Sequence, residues 1–150
     1  MALLYNLTDE LKSAMRAKDS MKLEALRAIK SAVLLAKTAG TGDTDLSEDD
    51  EIKILQKLVK QRKDSATIYR EQNRDDLAET EEAQADVIAQ FLPEQLSAAA
   101  IEKIVDEIIG KIGAEGMKDM GKVMGMASKE MAGKADGKTI SVIVKHRLNG

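Results

Sequence analysis

Two glycines and three lysines near residue 120 have the types and the spacing of a phosphate-binding surface. A projection at about 100° per residue places Gly121 and Gly125 on the same side of a predicted helix as the lysines. A backbone without side chains, flanked by ammonium groups, suits close approach by a phosphate chain or by another helix. This surface, which we call the glycine–lysine face, consists of Lys118, Gly121, Lys122, Gly125 and Lys129.

The two glycines need a physical reason, because each lowers helix stability by about 1 kcal/mol relative to alanine. One explanation is an external partner at the glycine–lysine face. The alternatives are a neighbouring helix of the same chain that packs closely against the glycines, or a face that is simply solvated. The opposite side of the helix carries the residues that we expect in the core: Met117, Met120, Val123, Met124, Ala127 and Met131.

A second basic surface is predicted on the third helix, where cations recur at alternating spacings of three and four residues. It indicates either a solvated face or nucleic-acid contact. The fourth helix carries acids that would neutralise this surface, but Glu79, Glu82 and Asp86 lie opposite its apolar residues, so we expect them to face solvent. The residues of this basic stripe are Lys60, Lys63, Arg70 and Arg74.

Arg62 does not belong to the basic stripe. It falls among Leu55, Val59 and Ala66 on the apolar side of the same helix. We therefore expect its side chain to be at least partly buried and paired with a carboxylate, which is a structural role.

No constellation of residues for catalysis or metal binding is evident. His146 is the only histidine, and no acid lies close to it in sequence. The absence of cysteine excludes disulfides, thiolate metal sites and cysteine nucleophiles. The sequence has no glycine-rich phosphate loop after a strand and no Ser/His/Asp candidate set. We expect no catalytic residues, no cofactor and no metal.

The composition indicates a helical protein with an aliphatic core. Hydrophobic residues make up 43% and charged residues 33% of the chain, with one proline and three aromatic residues. No stretch approaches 18 apolar residues, and the first residues lack the pattern of a signal peptide. Together with the absence of cysteine, these features predict a cytoplasmic protein with no membrane partner.

Periodicity and capping residues predict an all-α chain with four helices followed by three. Ser47, Ser97 and Asp136 are the predicted N-caps of the third, fifth and seventh helices. The sixth helix is predicted over about residues 117–132, with Gly133 as its left-handed C-cap. The only proline lies in FLPEQLS, and we place the domain boundary there, giving an N-terminal domain (1–94) and a C-terminal three-helix domain (95–150).

Four segments in order carry a resemblance to a known family. They are LVKQRKDSATIYREQNRDDL (58–77), FLPEQLS (91–97), MKDMGKVMG (117–125) and GKADGK (133–138). At these spacings the chain resembles the GatB/YqeY family, in particular its stand-alone YqeY-like members, over nearly its whole length. The resemblance implies a bacterial, all-α protein with a larger N-terminal and a smaller C-terminal helical domain.

The resemblance also implies a link to tRNA. The same module forms the tail of the GatB subunit of the glutamine-dependent tRNA amidotransferase, where it helps to hold the misacylated tRNA. By this resemblance, Lys134 and Lys138 join the glycine–lysine face on the RNA-facing side. The stand-alone members have no firmly assigned function.

Three hypotheses follow. The first is a non-catalytic accessory protein that binds tRNA or another RNA. The second is a protein-interaction adaptor that uses the basic third and acidic fourth helices. The third is an amidotransferase-linked activity, a carbon–nitrogen ligase with glutamine as amido donor, which would need partner subunits. The amidotransferase uses a separate glutaminase subunit and a phosphate-activating cradle, so we expect no enzymatic activity from this chain itself.

Overall fold

All secondary structure in the described part of the chain is helical. The computed structural model describes residues 2–39 and 46–149, with side chains from residue 6 onward. The predicted all-α class is confirmed, while the predicted polar loop at residues 40–45 lies outside the described residues. No helix in the described ranges is both long enough and apolar enough to cross a membrane. The helices are α1 (Ala2–Ala17), α2 (Ser20–Ala39), α3 (Glu48–Glu71), α4 (Asp75–Ala89), α5 (Ala98–Ile112), α6 (Met120–Glu130) and α7 (Gly137–Asn149), with a short 3₁₀ helix at Met117–Asp119.

Helices α1 to α4 lie in a first compact unit, Met1–Leu92. The Ser47 hydroxyl accepts the Asp50 N–H at 3.1 Å, and the Asp50 carboxylate accepts the Ser47 N–H at 3.3 Å. This capping box fixes the start of α3, as the sequence predicts. Asn73 takes the left-handed conformation that asparagine tolerates, with a φ of 62°, in the turn before α4. The fully buried large side chains of this unit are Leu7, Leu26, Ile29, Val33, Leu55 and Ile88.

Helices α5 to α7 lie in a second compact unit, Pro93–Gly150. Its local signals act as the sequence predicts: Ser97 accepts the Ala100 N–H at 3.1 Å, and Asp136 accepts the Thr139 N–H at 2.8 Å. Gly113 ends α5 in the left-handed conformation, with a φ of 68°. The core of this unit is aliphatic and methionine-rich, and its fully buried large side chains are Ile101, Val105, Val123, Met131, Ile140 and Val144.

The sixth helix is shorter than predicted. Residues 117–119 form a 3₁₀ helix, because the Asp119 N–H donates to the Gly116 carbonyl at 3.0 Å. The Asp119 carboxylate turns back to accept the Glu115 N–H at 3.0 Å instead of capping α6. At the other end, α6 stops at Glu130, and Gly133 takes its left-handed conformation beyond the helix end, with a φ of 79°. The helix predicted over about 117–132 therefore begins with a 3₁₀ segment and ends two residues early, and Gly133 has the predicted left-handed conformation while Met131 is the C-cap.

Candidate nucleic-acid interface

Helix α6 separates the glycines from the core. Val123 and Ala127 are fully buried, so this side of the helix faces the interior of the C-terminal unit. Gly121 and Gly125 lie on the exposed side. The expected methionine core is confirmed for Met131, which is fully buried, while Met120 and Met124 are half-buried. It is wrong for Met117, which is 40% exposed because it precedes α6 in the 3₁₀ segment.

Open space surrounds both glycines of α6. A Cβ atom added at Gly121 or at Gly125 would meet no heavy atom within 4 Å in the described structure. Neither glycine has a positive φ that would require its conformational freedom. A closely packed neighbouring helix of the same chain therefore does not account for these glycines in the described structure. An external partner and plain solvation are the two explanations that remain.

The lysines of the glycine–lysine face are all exposed. Lys122 and Lys129 form no ion pair with any residue that the structure describes. The Lys118 Nζ lies 3.8 Å from the carboxylate of Glu115, and both side chains are more than 70% exposed. An exposed pair at that distance contributes little, so Lys118 keeps most of its attraction for an anion.

Lys134 and Lys138 follow α6 in the chain and belong to the same unit. Lys134 occupies the turn between α6 and α7, where its carbonyl accepts the Leu96 N–H at 2.9 Å and its own N–H donates to the Met131 carbonyl at 3.0 Å. These bonds fix its backbone while its side chain is exposed. Lys138 is the second residue of α7 and is also exposed, shortly after the Asp136 cap. Both lysines are therefore available to a partner of the C-terminal unit.

Two arginines of the basic stripe are already engaged by acids of α4. Arg70 donates from Nε and from one terminal nitrogen to the two carboxylate oxygens of Glu82, each at 2.9 Å. Arg74 donates in the same forked way to Asp76, with both distances 3.1 Å. These bonds lower the pKa of Glu82 and of Asp76 and raise the pKa of both arginines. The expectation that Glu82 faces solvent without contacting the stripe is wrong.

The two lysines of the basic stripe differ from each other. Lys60 donates to the carboxylate of Asp64 at 2.8 Å, within the same helix. Lys63 is exposed and forms no ion pair with a described residue. The stripe therefore presents much less unneutralised charge than its sequence spacing indicates.

Arg62 is half-buried, as predicted from its place on the apolar side of α3. Its Nε donates to the side-chain carbonyl of Gln84 at 3.2 Å, and a terminal nitrogen donates to the Leu58 carbonyl at 3.3 Å. The Gln84 amide in turn donates to the Glu24 carboxylate at 3.3 Å. The predicted carboxylate partner is therefore wrong: Gln84 lies between the guanidinium and the acid. No sequence pattern indicates Gln84, because it lies on another helix.

Comparison with protein families shows the family to which this chain belongs. The family model of YqeY-like proteins matches residues 4–148. The chain belongs to the YqeY-like family. This confirms the predicted resemblance to stand-alone YqeY-like proteins.

Curated relatives of this YqeY-like chain are fungal proteins named "Altered inheritance of mitochondria protein 41, mitochondrial". The chain is 37% identical to the one from Clavispora lusitaniae over 107 residues, which are 71% of this chain and 61% of the relative. It is 34% identical to the one from Meyerozyma guilliermondii over 134 residues, 85% of this chain and 68% of the relative. For Saccharomyces cerevisiae (strain YJM789) the identity is 31%, covering 89% of this chain and 70% of the relative. The chain thus spans roughly two thirds of the length of these relatives.

The names of these relatives correct two predictions. They describe mitochondrial proteins of fungi, which contradicts the predicted cytoplasmic location and the predicted bacterial origin. The predicted location rests partly on the lack of cysteine, which shows only that the chain needs no disulfide and does not distinguish one reducing compartment from another. None of these names describes an enzyme.

Buried polar groups and clusters of metal ligands are the two features relevant to chemistry among the described residues of this YqeY-like protein. No polar or charged side chain is among their buried residues, and no group of three or more His, Asp or Glu could hold a metal ion. His146 is exposed on α7. The feature of interest on this surface is the placement of two uncovered glycines among exposed lysines, which suits binding.

Proposed function

We propose that this YqeY-like protein is a non-catalytic accessory protein that binds tRNA or another folded RNA at the glycine–lysine face. One observation carries the proposal: Gly121 and Gly125 are uncovered beside the exposed Lys122 and Lys129. Each glycine costs about 1 kcal/mol relative to alanine, and no contact in the described structure offsets that cost. A phosphate backbone that approaches the bare helix would give both glycines a purpose.

The charge distribution supports an RNA partner at this end of the chain. The whole chain carries a net charge of −3, but residues 116–150 hold seven Lys or Arg against three Asp or Glu. Such a local excess of cations attracts polyanions, although the protein as a whole is acidic. Because the candidate contacts are exposed lysines, we expect dissociation constants in the range of non-specific binders, about 10⁻⁶ to 10⁻⁴ M at physiological salt.

The proposed domain organisation rests on the resemblance to the amidotransferase tail. We take the chain as a four-helix N-terminal domain joined to a three-helix domain, with the second equivalent to the tail module of the amidotransferase. In that module the helices hold tRNA while the chemistry is performed by other parts of the complex. The proposed role of this chain is likewise to hold RNA. An amidotransferase-linked activity would arise only with partner subunits.

A second candidate function is a protein-interaction adaptor. Leu35 of α2 is 70% exposed, and Leu34 and Ile68 are each about half exposed. Exposed leucine and isoleucine side chains of this size favour protein contacts when they form a continuous patch. In this alternative the N-terminal unit docks another protein, and the glycine–lysine face is only solvated.

Binding of the full chain to a labelled tRNA pool tests the proposal. Anisotropy is recorded while salt is raised from about 50 to 200 mM, because each neutralised phosphate releases counterions and steepens the salt dependence. If each exposed lysine of the candidate set neutralises one phosphate, the slope of log affinity against log salt is up to about −4 to −5. The set is Lys118, Lys122, Lys129, Lys134 and Lys138. Absence of binding at low salt would reject the RNA proposal and leave the adaptor as the leading candidate.

A further inference from the structure

We infer that the C-terminal unit, residues 93–150, binds the sugar–phosphate backbone of paired RNA and does not read bases. This inference rests on the proposed function, because it names the class of RNA that the glycine–lysine face accepts. It is carried by the types of side chain in this unit and by the contacts in which they are engaged.

The C-terminal unit has no phenylalanine, tyrosine or tryptophan on which unpaired bases could stack, and its one imidazole is that of His146. Proteins that recognise single-stranded RNA place bases on aromatic rings or on free guanidinium planes. The three aromatic residues of the chain, Tyr5, Tyr69 and Phe91, all precede residue 93. An unpaired base therefore has only the single ring of His146, exposed on α7, to stack on in this unit.

Most of the planar side chains that read base edges already hold a hydrogen bond in this unit. Arginine, asparagine and glutamine carry the planar groups that make paired hydrogen bonds to bases. Arg147, the only arginine of the unit, donates to the Asp106 carboxylate at 2.5 Å. Gln95, its only glutamine, donates to the carbonyls of Pro93 at 2.7 Å and Gly133 at 2.9 Å. Asn149 is the one amide side chain of the unit without such a bond in the described structure.

The groups that remain available suit a phosphate backbone. Lysine binds phosphate as a point charge without the forked geometry that selects a base. Lys122 and Lys129 are seven residues apart on α6, which is about 10 Å along the helix axis. Gly121 lies at the start of the helix and Gly125 lies between the two lysines. Neither carries a side chain, so the helix backbone is accessible at both positions. A low helix face fits the wide, shallow minor groove of an RNA duplex, where ribose hydroxyls and phosphates are accessible.

Three labelled RNA probes test this inference on the full chain at low salt. Two are duplexes of about 16 base pairs with unrelated sequences, since modules that read duplex shape cover about that length. The third is an oligouridine with as many phosphates as one duplex. We expect the two duplexes to bind within about twofold of each other, and the oligouridine at least about tenfold more weakly. The reasons are the lower charge density of a single strand and the presence of one ring, that of His146, in the C-terminal unit.

The outcomes separate the inference from the function on which it rests. Oligouridine binding as tightly as the duplexes would overturn the inference and leave RNA binding intact. A difference above about tenfold between the two duplexes would also overturn it, because each base read is worth about that factor. If none of the three probes binds at low salt while the tRNA pool does, the inference fails and the proposed function stands; if tRNA does not bind either, the proposed function itself fails. Asn149→Ala should leave all three affinities unchanged; a change confined to one duplex would show base reading.

Discussion

Arg70 on α3 and Glu82 on α4 form a forked ion pair, with both nitrogen–oxygen distances at 2.9 Å. The pair joins two helices that are consecutive in the chain and are connected by a short turn at residues 72–74. The pair also affects function, because the guanidinium of Arg70, which could bind a phosphate in the same forked way, already has a carboxylate partner. The stripe is therefore a weaker candidate for RNA contact than the glycine–lysine face.

Substitution of the basic stripe should have little effect on RNA binding. In Lys63→Ala/Arg70→Ala, we expect the affinity for tRNA to fall by less than about twofold, because Arg70 is neutralised by Glu82. Anisotropy titrations at low salt measure the change. A loss of tenfold or more would identify α3 as the RNA-binding element.

The Arg70–Glu82 pair should contribute stability that depends on pH. Its hydrogen bonds hold the pKa of Glu82 below the ordinary value, so the folded state binds this proton less readily than the unfolded chain. The contribution is therefore present above the unfolded pKa and is lost as pH falls through the folded pKa. Glu82→Gln should lower the thermal midpoint at pH 7, and the difference from wild type should vanish once the pH falls below the lowered pKa of Glu82 in the folded state.

Asp86→Asn provides the matched control for that experiment. Asp86 is exposed on the same helix and forms no ion pair with a described residue. Its substitution should shift the midpoint less than Glu82→Gln at neutral pH. Equal shifts for the two variants would mean that the forked pair contributes nothing beyond the general charge of α4.

The glycines of α6 should show opposite effects on stability and on binding. Gly121→Ala/Gly125→Ala adds two methyl groups into open space, so we expect the C-terminal unit to gain about 1 kcal/mol per site. The same methyl groups should keep a phosphate backbone away from the helix and weaken tRNA binding several-fold. Urea unfolding and anisotropy on the same preparation measure the two effects.

Gly110→Ala is the control for the glycine substitutions. Gly110 lies in α5, is exposed, and also has no atom within 4 Å of an added Cβ. Its replacement should stabilise the same unit without changing RNA affinity. If the α6 double variant is more stable and binds tRNA as wild type does, the glycines serve no partner and their face is solvated.

Gln84 should be more important for stability than its sequence context indicates. Gln84→Ala removes the acceptor of the half-buried Arg62 Nε and leaves that donor without a partner. We expect the free energy of unfolding to fall by about 1–3 kcal/mol in urea titrations. Gln61→Ala, at an exposed position of α3, should change it by less than about 0.5 kcal/mol. Equal effects of the two changes would remove the structural role assigned to Arg62.

Local signals explain which parts of the fold the sequence predicts. Ser47, Ser97 and Asp136 each accept a backbone N–H three residues further along the chain, and each has the predicted role. The separation of core and glycine sides on α6 also follows, because helical periodicity is a local property. The predicted start of α6 is wrong because residues 117–119 form a 3₁₀ helix. The Asp119 carboxylate there accepts the Glu115 N–H and does not cap α6.

The parts of the structure that the sequence does not predict depend on contacts between helices. Whether Glu82 meets Arg70, or Gln84 meets Arg62, depends on the register of α3 against α4, which periodicity does not determine. The open space around Gly121 likewise depends on where the neighbouring helices lie. The sequence therefore predicts the composition of the candidate interface, while the structure decides which of its cations remain unpaired.

The most direct test of RNA binding at the glycine–lysine face compares two charge reversals in the same unit. Lys122→Glu/Lys129→Glu alters the glycine–lysine face, and Lys103→Glu/Lys111→Glu alters two exposed lysines of α5. Affinity for tRNA is measured at low salt, with far-UV circular dichroism to confirm that both variants fold. We predict at least about a tenfold loss for the first variant and less than about twofold for the second. Wild-type affinity in a folded Lys122→Glu/Lys129→Glu variant would contradict the assignment of this face.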